Sequence, residues 1–129
     1  MAVLLDTSAW IEYFIGSKHG KRVSETLHSG DSNTCIVSIA EVEQWALKNG
    51  QDPSLLVEAV DGLSNVVQLD KDIARMAGEI NFKRKKAIKK WGMVDSLILA
   101  TAIKYGLKVL TKDSDFRGLS NTILLSEVT

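Results

Sequence analysis

Cysteine and proline are scarce in this sequence of 129 residues, which has one of each. The single cysteine, Cys35, has no partner for an intrachain disulfide, which favours a reducing, cytosolic environment. No apolar run approaches the roughly 18 residues that a membrane-spanning helix needs, and the first residues lack the basic start of a secretory signal. We therefore expect a cytoplasmic protein with no membrane anchor.

The sequence also lacks the composition that is typical of disordered and low-complexity proteins. Hydrophobic residues make up 45% of the chain and charged residues 25%, with nine glycines, which excludes collagen-like and disordered classes. The length fits one domain of ordinary size. Residues 1–129 are therefore expected to form a single domain with its own hydrophobic core.

The chain has no net charge, because sixteen basic residues balance sixteen acidic ones. The two signs are unevenly distributed: residues 1–60 carry four basic and eight acidic side chains, and residues 61–129 carry twelve and eight. Six cations fall within eight residues shortly before Asp95, and they are Lys83, Arg84, Lys85, Lys86, Lys89 and Lys90. Such a run is often only a solvated face, but it also suits a polyanionic strand bound in a salt-sensitive manner.

Short apolar runs alternate with helical patterns along the chain. The predicted strands are 3–5, 35–37, 66–69, 108–111 and 122–125. The predicted helices follow Asp6, cover 18–29 and 93–105, and begin at Ser38, Asp52 and Asp70. Strands that alternate with helices of this length predict right-handed crossovers and a mainly parallel sheet covered on both faces. We expect an α/β fold, a three-layer α/β/α sandwich.

Carboxylates follow the ends of three predicted strands, where the ligand crevice of such a fold lies. Asp6 follows the first strand, Glu41 follows the second by a few residues, and Asp113 follows the fourth. Asp95 opens the apolar helix 93–105, where an ionised side chain is costly unless it is paired or hydrated. These four acids are predicted to meet in one crevice.

Local capping is the alternative interpretation of the same residues. Asp6 and Asp95 suit helix N-termini, Glu41 suits a capping box with Ser38, and Asp113 suits an Asx turn. Asp70 also follows a strand and opens a helix, and it is interpreted as a cap. Spacing alone does not separate the two interpretations.

If the four carboxylates meet, each close pair repels by about 4 kcal/mol at a separation of about 4 Å. Such a cluster favours a bound cation, and oxygen ligands without clustered thiolate or imidazole favour Mg²⁺ or Mn²⁺. These ions support the hydrolysis of phosphodiester bonds. Nucleotide-binding glycine loops are absent from the sequence, and Ser8 stands near Asp6 either to bond a carboxylate or to shape the turn.

Four segments, taken in order, carry a family resemblance: 4–8, 38–41, 95–102 and 110–116. They resemble the PIN-domain family, and in particular its VapC-type toxins, with the last two segments being the more specific. The resemblance implies a Mg²⁺- or Mn²⁺-dependent endoribonuclease that forms a homodimer and is blocked by the tail of a VapB-like antitoxin. It also implies an acidic site of Asp6, Glu41, Asp95 and Asp113, with Ser8 and Thr111 in supporting positions.

Within the fourth segment, two acids compete for one role. We favour Asp113 as the site acid, with Asp115 shaping the loop or assisting. For an enzyme of this kind, the basic run 83–90 is expected to hold the RNA backbone near the cutting site.

Other functional classes fit the sequence less well. A receiver-like Mg²⁺-binding signalling domain shares the length and the parallel sheet, but Asp6-Thr7-Ser8 lacks the acid pair that it needs after the first strand. A haloacid-dehalogenase-like phosphatase needs a second Asp where Ser8 stands. A non-catalytic RNA-binding or antitoxin-binding module remains as an alternative, and it would keep its RNA affinity after Asp6→Asn.

Overall fold

A fully parallel sheet lies at the centre of the molecule. The computed structural model describes residues 2–127, and within them five strands pair in the order β3-β2-β1-β4-β5. The strands are β1 Val3–Leu5, β2 Ser32–Cys35, β3 Asn65–Val67, β4 Lys108–Thr111 and β5 Thr122–Leu124. The helices are α1 Thr7–Ile15, α2 Lys18–His28, α3 Val37–Lys48, α4 Pro53–Leu63, α5 Lys71–Arg84 and α6 Met93–Tyr105, with short 3₁₀ turns at Ser114–Phe116 and Leu125–Glu127.

The central strand β1 supplies side chains to both faces of the sheet. Val3 and Leu5 pack with Trp10 of α1 and Val23 of α2 in one apolar cluster, which α3 and α4 also join. Leu4, between them in sequence, points to the opposite face and packs with residues of α6. A strand buried on both sides needs apolar residues in succession, which explains the run Val3-Leu4-Leu5. The predicted three-layer α/β/α sandwich is confirmed.

Helix α6 matches the predicted range and lies against the sheet. It begins after Gly92 and ends before Gly106, whose φ of 63° is left-handed and therefore suits glycine. Ile98, Leu99 and Ala102 pack on the sheet, and Ala100 packs against α5. Although α6 is strongly apolar, no helix within residues 2–127 is long and apolar enough to cross a membrane.

The second strand differs from its prediction. We expected 35–37, but β2 is Ser32–Cys35 and α3 already begins at Val37. Two polar residues of β2 are hydrogen-bonded: Thr34 accepts from Trp10 Nε1 at 3.1 Å, and the Asn33 side chain donates to the Val3 carbonyl at 3.1 Å. Hydrophobicity therefore misplaced the strand, because these polar side chains are paired within the protein.

The capping predictions had mixed outcomes. Asp52 and Asp70 cap α4 and α5 by accepting hydrogen bonds from the backbone N–H groups of Ser54 and Ile73. The capping box of Ser38 and Glu41 is wrong, because Ile36 is the N-cap of α3 and makes no side-chain cap. Small shifts also occur at two edge strands, since β3 is Asn65–Val67 instead of 66–69 and β5 ends at Leu124.

Gly20 lies at the closest approach between α1 and α2. A β-carbon there would stand 2.1 Å from the carbonyl oxygen of Glu12, which belongs to rigid helical backbone. We expect Gly20→Ala to lower the free energy of unfolding by about 3 kcal/mol, because the two helices must separate. Gly78→Ala is the control: it adds the same methyl group in open space on α5, and it should stabilise the protein by up to about 1 kcal/mol. Denaturant unfolding of both variants measures the difference, and equal stabilities would contradict the packing argument.

Candidate active site

The predicted site residues lie at the carboxyl edge of the sheet, where the strand order reverses direction. Strands β2 and β3 lie on one side of the central strand β1, and strands β4 and β5 lie on its other side. A crevice for ligands is expected at such a switch point. Asp6 directly follows β1, Thr111 ends β4, and Asp95 lies in the first turn of α6.

Asp6 is a buried carboxylate held by two hydroxyl groups. Only 5% of the surface of Asp6 is exposed to solvent. Its Oδ2 atom accepts hydrogen bonds from Ser8 Oγ at 2.8 Å and from Thr111 Oγ1 at 2.7 Å. Burial raises the pKa of Asp6, the two hydroxyl groups oppose that rise, and the negative charge of Glu41 adds to it. The hydroxyl groups therefore stabilise the ionised form in a place where water cannot.

Asp95 is linked electrostatically to three other acids. Its Oδ2 accepts a hydrogen bond from the Gly92 N–H at 3.0 Å, so the cap that the sequence allowed is present. The pKa of Asp95 is raised to about 6, chiefly by burial, while the Gly92 bond opposes the rise and the charges of Asp6, Asp113 and Asp115 add to it. Capping of the helix and electrostatic coupling to the other acids are thus compatible at this residue.

Glu41 approaches the cluster through Thr7. The Thr7 hydroxyl donates to a carboxylate oxygen of Glu41 and lies 3.0 Å from Ser38 Oγ. Thr7 is buried and directly follows Asp6. The sequence analysis assigned it no role, although a hydroxyl next to the first acid was a visible signal. Thr7 fixes α3 against the loop that carries Asp6.

Asp113 and Asp115 occupy a tight turn after β4. The Asp113 N–H donates to Thr111 Oγ1 at 2.9 Å, and Asp113 Oδ1 accepts from the Asp115 N–H at 2.9 Å. The Asx turn that the sequence allowed at Asp113 is therefore present. The Asp115 carboxylate lies 3.8 Å from Lys90 Nζ. Thr111 connects this turn directly to Asp6, since the same hydroxyl contacts both.

Oxygen atoms supply all the candidate ligands, which suits a hard divalent cation. Burial and mutual repulsion raise the pKa of Asp6 and Asp95, and a cation would reverse both effects. Within residues 2–127, however, no three His, Cys, Asp or Glu side chains are already grouped closely enough to hold a metal ion. The residues fit Mg²⁺ or Mn²⁺ by their chemistry, and their role as metal ligands stays a prediction.

The basic run divides into two parts in the structure. Arg84 donates from Nη2 to the Asp115 carbonyl at 2.7 Å, and Lys85 donates from Nζ to the carbonyls of Lys89 and Trp91 at 3.0 and 2.8 Å. These two cations are engaged in internal contacts. The other four residues of the run have exposed side chains: Lys83, Lys86, Lys89 and Lys90.

Glu12 is a charged residue that the sequence analysis missed. It is buried in α1, where Ser17 Oγ donates to its carboxylate at 2.9 Å and Lys112 Nζ lies at 3.5 Å. The Lys112 N–H in turn donates to Ser8 Oγ at 3.0 Å. Glu12 is the only charged residue in α1, and that isolation among apolar residues was the available signal. Through Lys112, Glu12 contacts the loop that carries Asp113.

Comparisons with known proteins show which family the chain belongs to. The model of the family described as "PIN domain" matches residues 3–121. Ribonuclease VapC11 of Mycobacterium tuberculosis is 30% identical over 119 residues, which cover 88% of each chain. The strand order also separates this fold from the receiver class, in which β1 lies between β2 and β3.

Solved structures share the whole architecture. A toxin–antitoxin complex from Klebsiella pneumoniae contains a chain with a TM-score of 0.79 and 23% identity, covering 98% of this chain and 100% of that one. DNA-bound VapBC from Salmonella typhimurium contains one with a TM-score of 0.72 and 20% identity, covering 96% of both chains. The resemblance found in the four short sequence segments thus extends over nearly the full length, and the chain belongs to the PIN-domain family.

Proposed function

We propose that this protein is a divalent-metal-dependent endoribonuclease and the toxin of a VapBC-type toxin–antitoxin pair. The observation that carries the proposal is the buried Asp6 carboxylate, kept in place by Ser8 and Thr111 and subject to the charge of Glu41. The negative charge of Asp6 also contributes to the raised pKa of Asp95. Relatives named as VapC ribonucleases support the choice of RNA as the substrate.

In this proposal the four acids would share one divalent cation. Asp6, Glu41, Asp95 and Asp113 would hold Mg²⁺ or Mn²⁺, which when bound activates a water molecule and neutralises charge on the phosphate. Ser8 and Thr111 keep Asp6 oriented through their hydrogen bonds, which also oppose the rise of its pKa on burial. Thr7 holds Glu41, and the Gly92 N–H holds Asp95. Asp115 shapes the turn that presents Asp113.

RNA is held near these acids by the exposed part of the basic run. Lys90 lies closest, since its ammonium group is 3.8 Å from the Asp115 carboxylate. Lys83, Lys86 and Lys89 are also exposed and add to the positive surface. Single-stranded or loop RNA is the proposed substrate, because its backbone can enter a narrow crevice without first being unpaired.

Two protein partners complete the proposal. The structural relatives include toxin–antitoxin complexes, which supports an antitoxin of the VapB type whose tail enters the acidic crevice. The homodimer is proposed from the family resemblance. Exposed apolar side chains such as Leu47, Leu55 and Phe82 are compatible with it, although isolated ones are ordinary on a monomer.

Cleavage of an RNA panel tests the nuclease assignment. Wild-type protein should cut RNA with Mg²⁺ or Mn²⁺ and not with EDTA, and Asp6→Asn and Asp95→Asn should each lower the rate by at least about a hundredfold. RNA binding, measured by fluorescence anisotropy, should persist in both variants.

Asp31→Asn provides the control, because Asp31 is an exposed acid before β2 and outside the cluster. It should cut at the wild-type rate. If both site variants cut as fast as wild type, the acidic site is not the catalyst. If wild-type protein binds RNA without any metal-dependent cleavage, the non-catalytic module is the better description.

The raised pKa of Asp95 predicts a pH-dependent stability. The native state binds this proton more tightly than the unfolded chain does, so ionisation destabilises the fold as pH rises from about 4 to about 6. In EDTA at pH 7.5, the melting temperature of Asp95→Asn should therefore be about 3 °C above that of wild type. This difference in melting temperature should disappear towards pH 4.

Thermal unfolding with added Mg²⁺ supplies the complementary measurement. The ion should raise the melting temperature of wild type, because it binds only the native state, and should have a smaller effect on Asp95→Asn. A variant that melts below wild type at pH 7.5 in EDTA would show that the Asp95 carboxylate stabilises the metal-free fold.

The exposed lysines are expected to control RNA affinity and its salt dependence. Replacing Lys83, Lys86 and Lys89 together by Met should weaken binding about tenfold at low salt and reduce the slope of log Kd against log salt by about 2, since each lost phosphate contact removes about 0.7 for a single strand. The turnover number at saturating RNA should stay within about twofold. An unchanged salt slope would remove these residues from the RNA-binding surface.

A further inference from the structure

Arg84 is the one cation of the run 83–90 that is partly buried. Its guanidinium carbon lies 4.2 Å from the centroid of the Trp91 ring, and its Nη2 donates to the Asp115 carbonyl at 2.7 Å. Its Nε is buried and, among the described residues, has no hydrogen-bond partner. A cation intended for solvent-borne phosphate would extend outward, whereas this one is directed into the protein.

The Trp91 ring beneath Arg84 joins the two acidic segments. Trp91 is fully buried, and its Nε1 donates to Ser96 Oγ at 2.7 Å. Its ring also packs against Phe116, with centroids 4.8 Å apart. Ser96 directly follows Asp95 in sequence, and Phe116 directly follows Asp115. Movement of this indole would therefore displace both acids.

Arg84 strengthens this connection, because it packs on the Trp91 ring and also binds the Asp115 carbonyl. The guanidinium covers the indole ring and at the same time fixes the backbone of the turn that presents Asp113. Planar stacking combined with a directed N–H bond is a property of arginine that lysine does not reproduce. The hydrogen bond ends on a backbone carbonyl, so it fixes the turn whatever the ionisation of the acids.

We infer that Arg84 is a positioning residue for the acidic site, holding the Asp113–Asp115 turn against Trp91, and that it does not contact the RNA backbone. The inference rests on the proposed function for its enzymatic consequence and on the contacts of Arg84 for its structural one. It removes one cation from the predicted RNA surface and assigns it to the site instead.

Arg84→Lys and Arg84→Met separate the two roles. A positioning role predicts that both variants lower kcat and Mn²⁺ affinity, each by about tenfold or more, as loss of supporting groups around a metal site does. KM and the salt slope of RNA binding should change by less than about twofold. Mn²⁺ affinity is measured by electron paramagnetic resonance in the absence of RNA.

Amide hydrogen exchange measures the stability of the Asp113–Asp115 turn directly, without RNA or metal. Peptides that cover 112–117 should exchange faster in both variants, while peptides that cover β1 and β2 should exchange as in wild type. Unchanged exchange in the strands shows that the variants are folded. If Arg84→Met fails to fold, Arg84→Lys decides alone, because it keeps the charge and the long aliphatic stem.

Arg75→Met is the matched control, since Arg75 is an exposed arginine on the same helix. It should leave metal affinity, turn exchange and kcat unchanged. An RNA contact by Arg84 would give the opposite pattern: Arg84→Lys would retain turn protection and kcat, and Arg84→Met would raise KM and lower the salt slope. That result would overturn the inference.

The two proposals fail in different ways. If wild-type protein neither binds Mn²⁺ nor cuts RNA, the proposed function fails, and turn exchange alone decides the role of Arg84. If wild-type protein is an active nuclease and Arg84→Lys matches it in Mn²⁺ affinity and exchange, the positioning role fails and the nuclease assignment stands.

Discussion

The hydrogen bond from Thr111 to Asp6 joins two parts of the chain that are 105 residues apart, and the site depends on it. Burial favours the protonated form of a carboxylic acid, and hydrogen-bond donors such as Thr111 favour the ionised form that binds a cation. Thr111 and Ser8 supply that stabilisation, and the Thr111 hydroxyl also receives the Asp113 N–H. One side chain at the end of β4 thus orders both the first acid and the turn that carries another.

Rigid packing on both sides of this bond preserves its geometry. Below it, β1 and β4 pair in register, with Leu5 opposite Leu110, and both residues lie in one buried cluster. Next to the turn, Lys112 contacts buried Glu12 and Arg84 donates to the Asp115 carbonyl. The candidate site is therefore built on short loops that the sheet and two cationic side chains hold in place.

The sequence was a good guide where hydrophobic periodicity and burial agree. Helix α6 and strand β4 have their predicted bounds, since both are apolar and end at glycine or polar residues. Strand β2 was misplaced because Thr34 and Asn33 are hydrogen-bonded to distant partners such as Trp10, which spacing does not reveal. The partners of Thr7, Glu12 and Arg84 were not predictable for the same reason, since Glu41, Lys112 and Asp115 lie in remote segments of the sequence.

The all-parallel sheet has a consequence for the order of events during protein synthesis. Strand β4 pairs with β1 across more than a hundred intervening residues, so during synthesis Asp6 lacks its Thr111 partner until β4 has also been made. The nascent polypeptide therefore carries Asp6 long before the hydrogen bonds that hold its carboxylate can form. The candidate site assembles only once this long-range parallel pairing is in place.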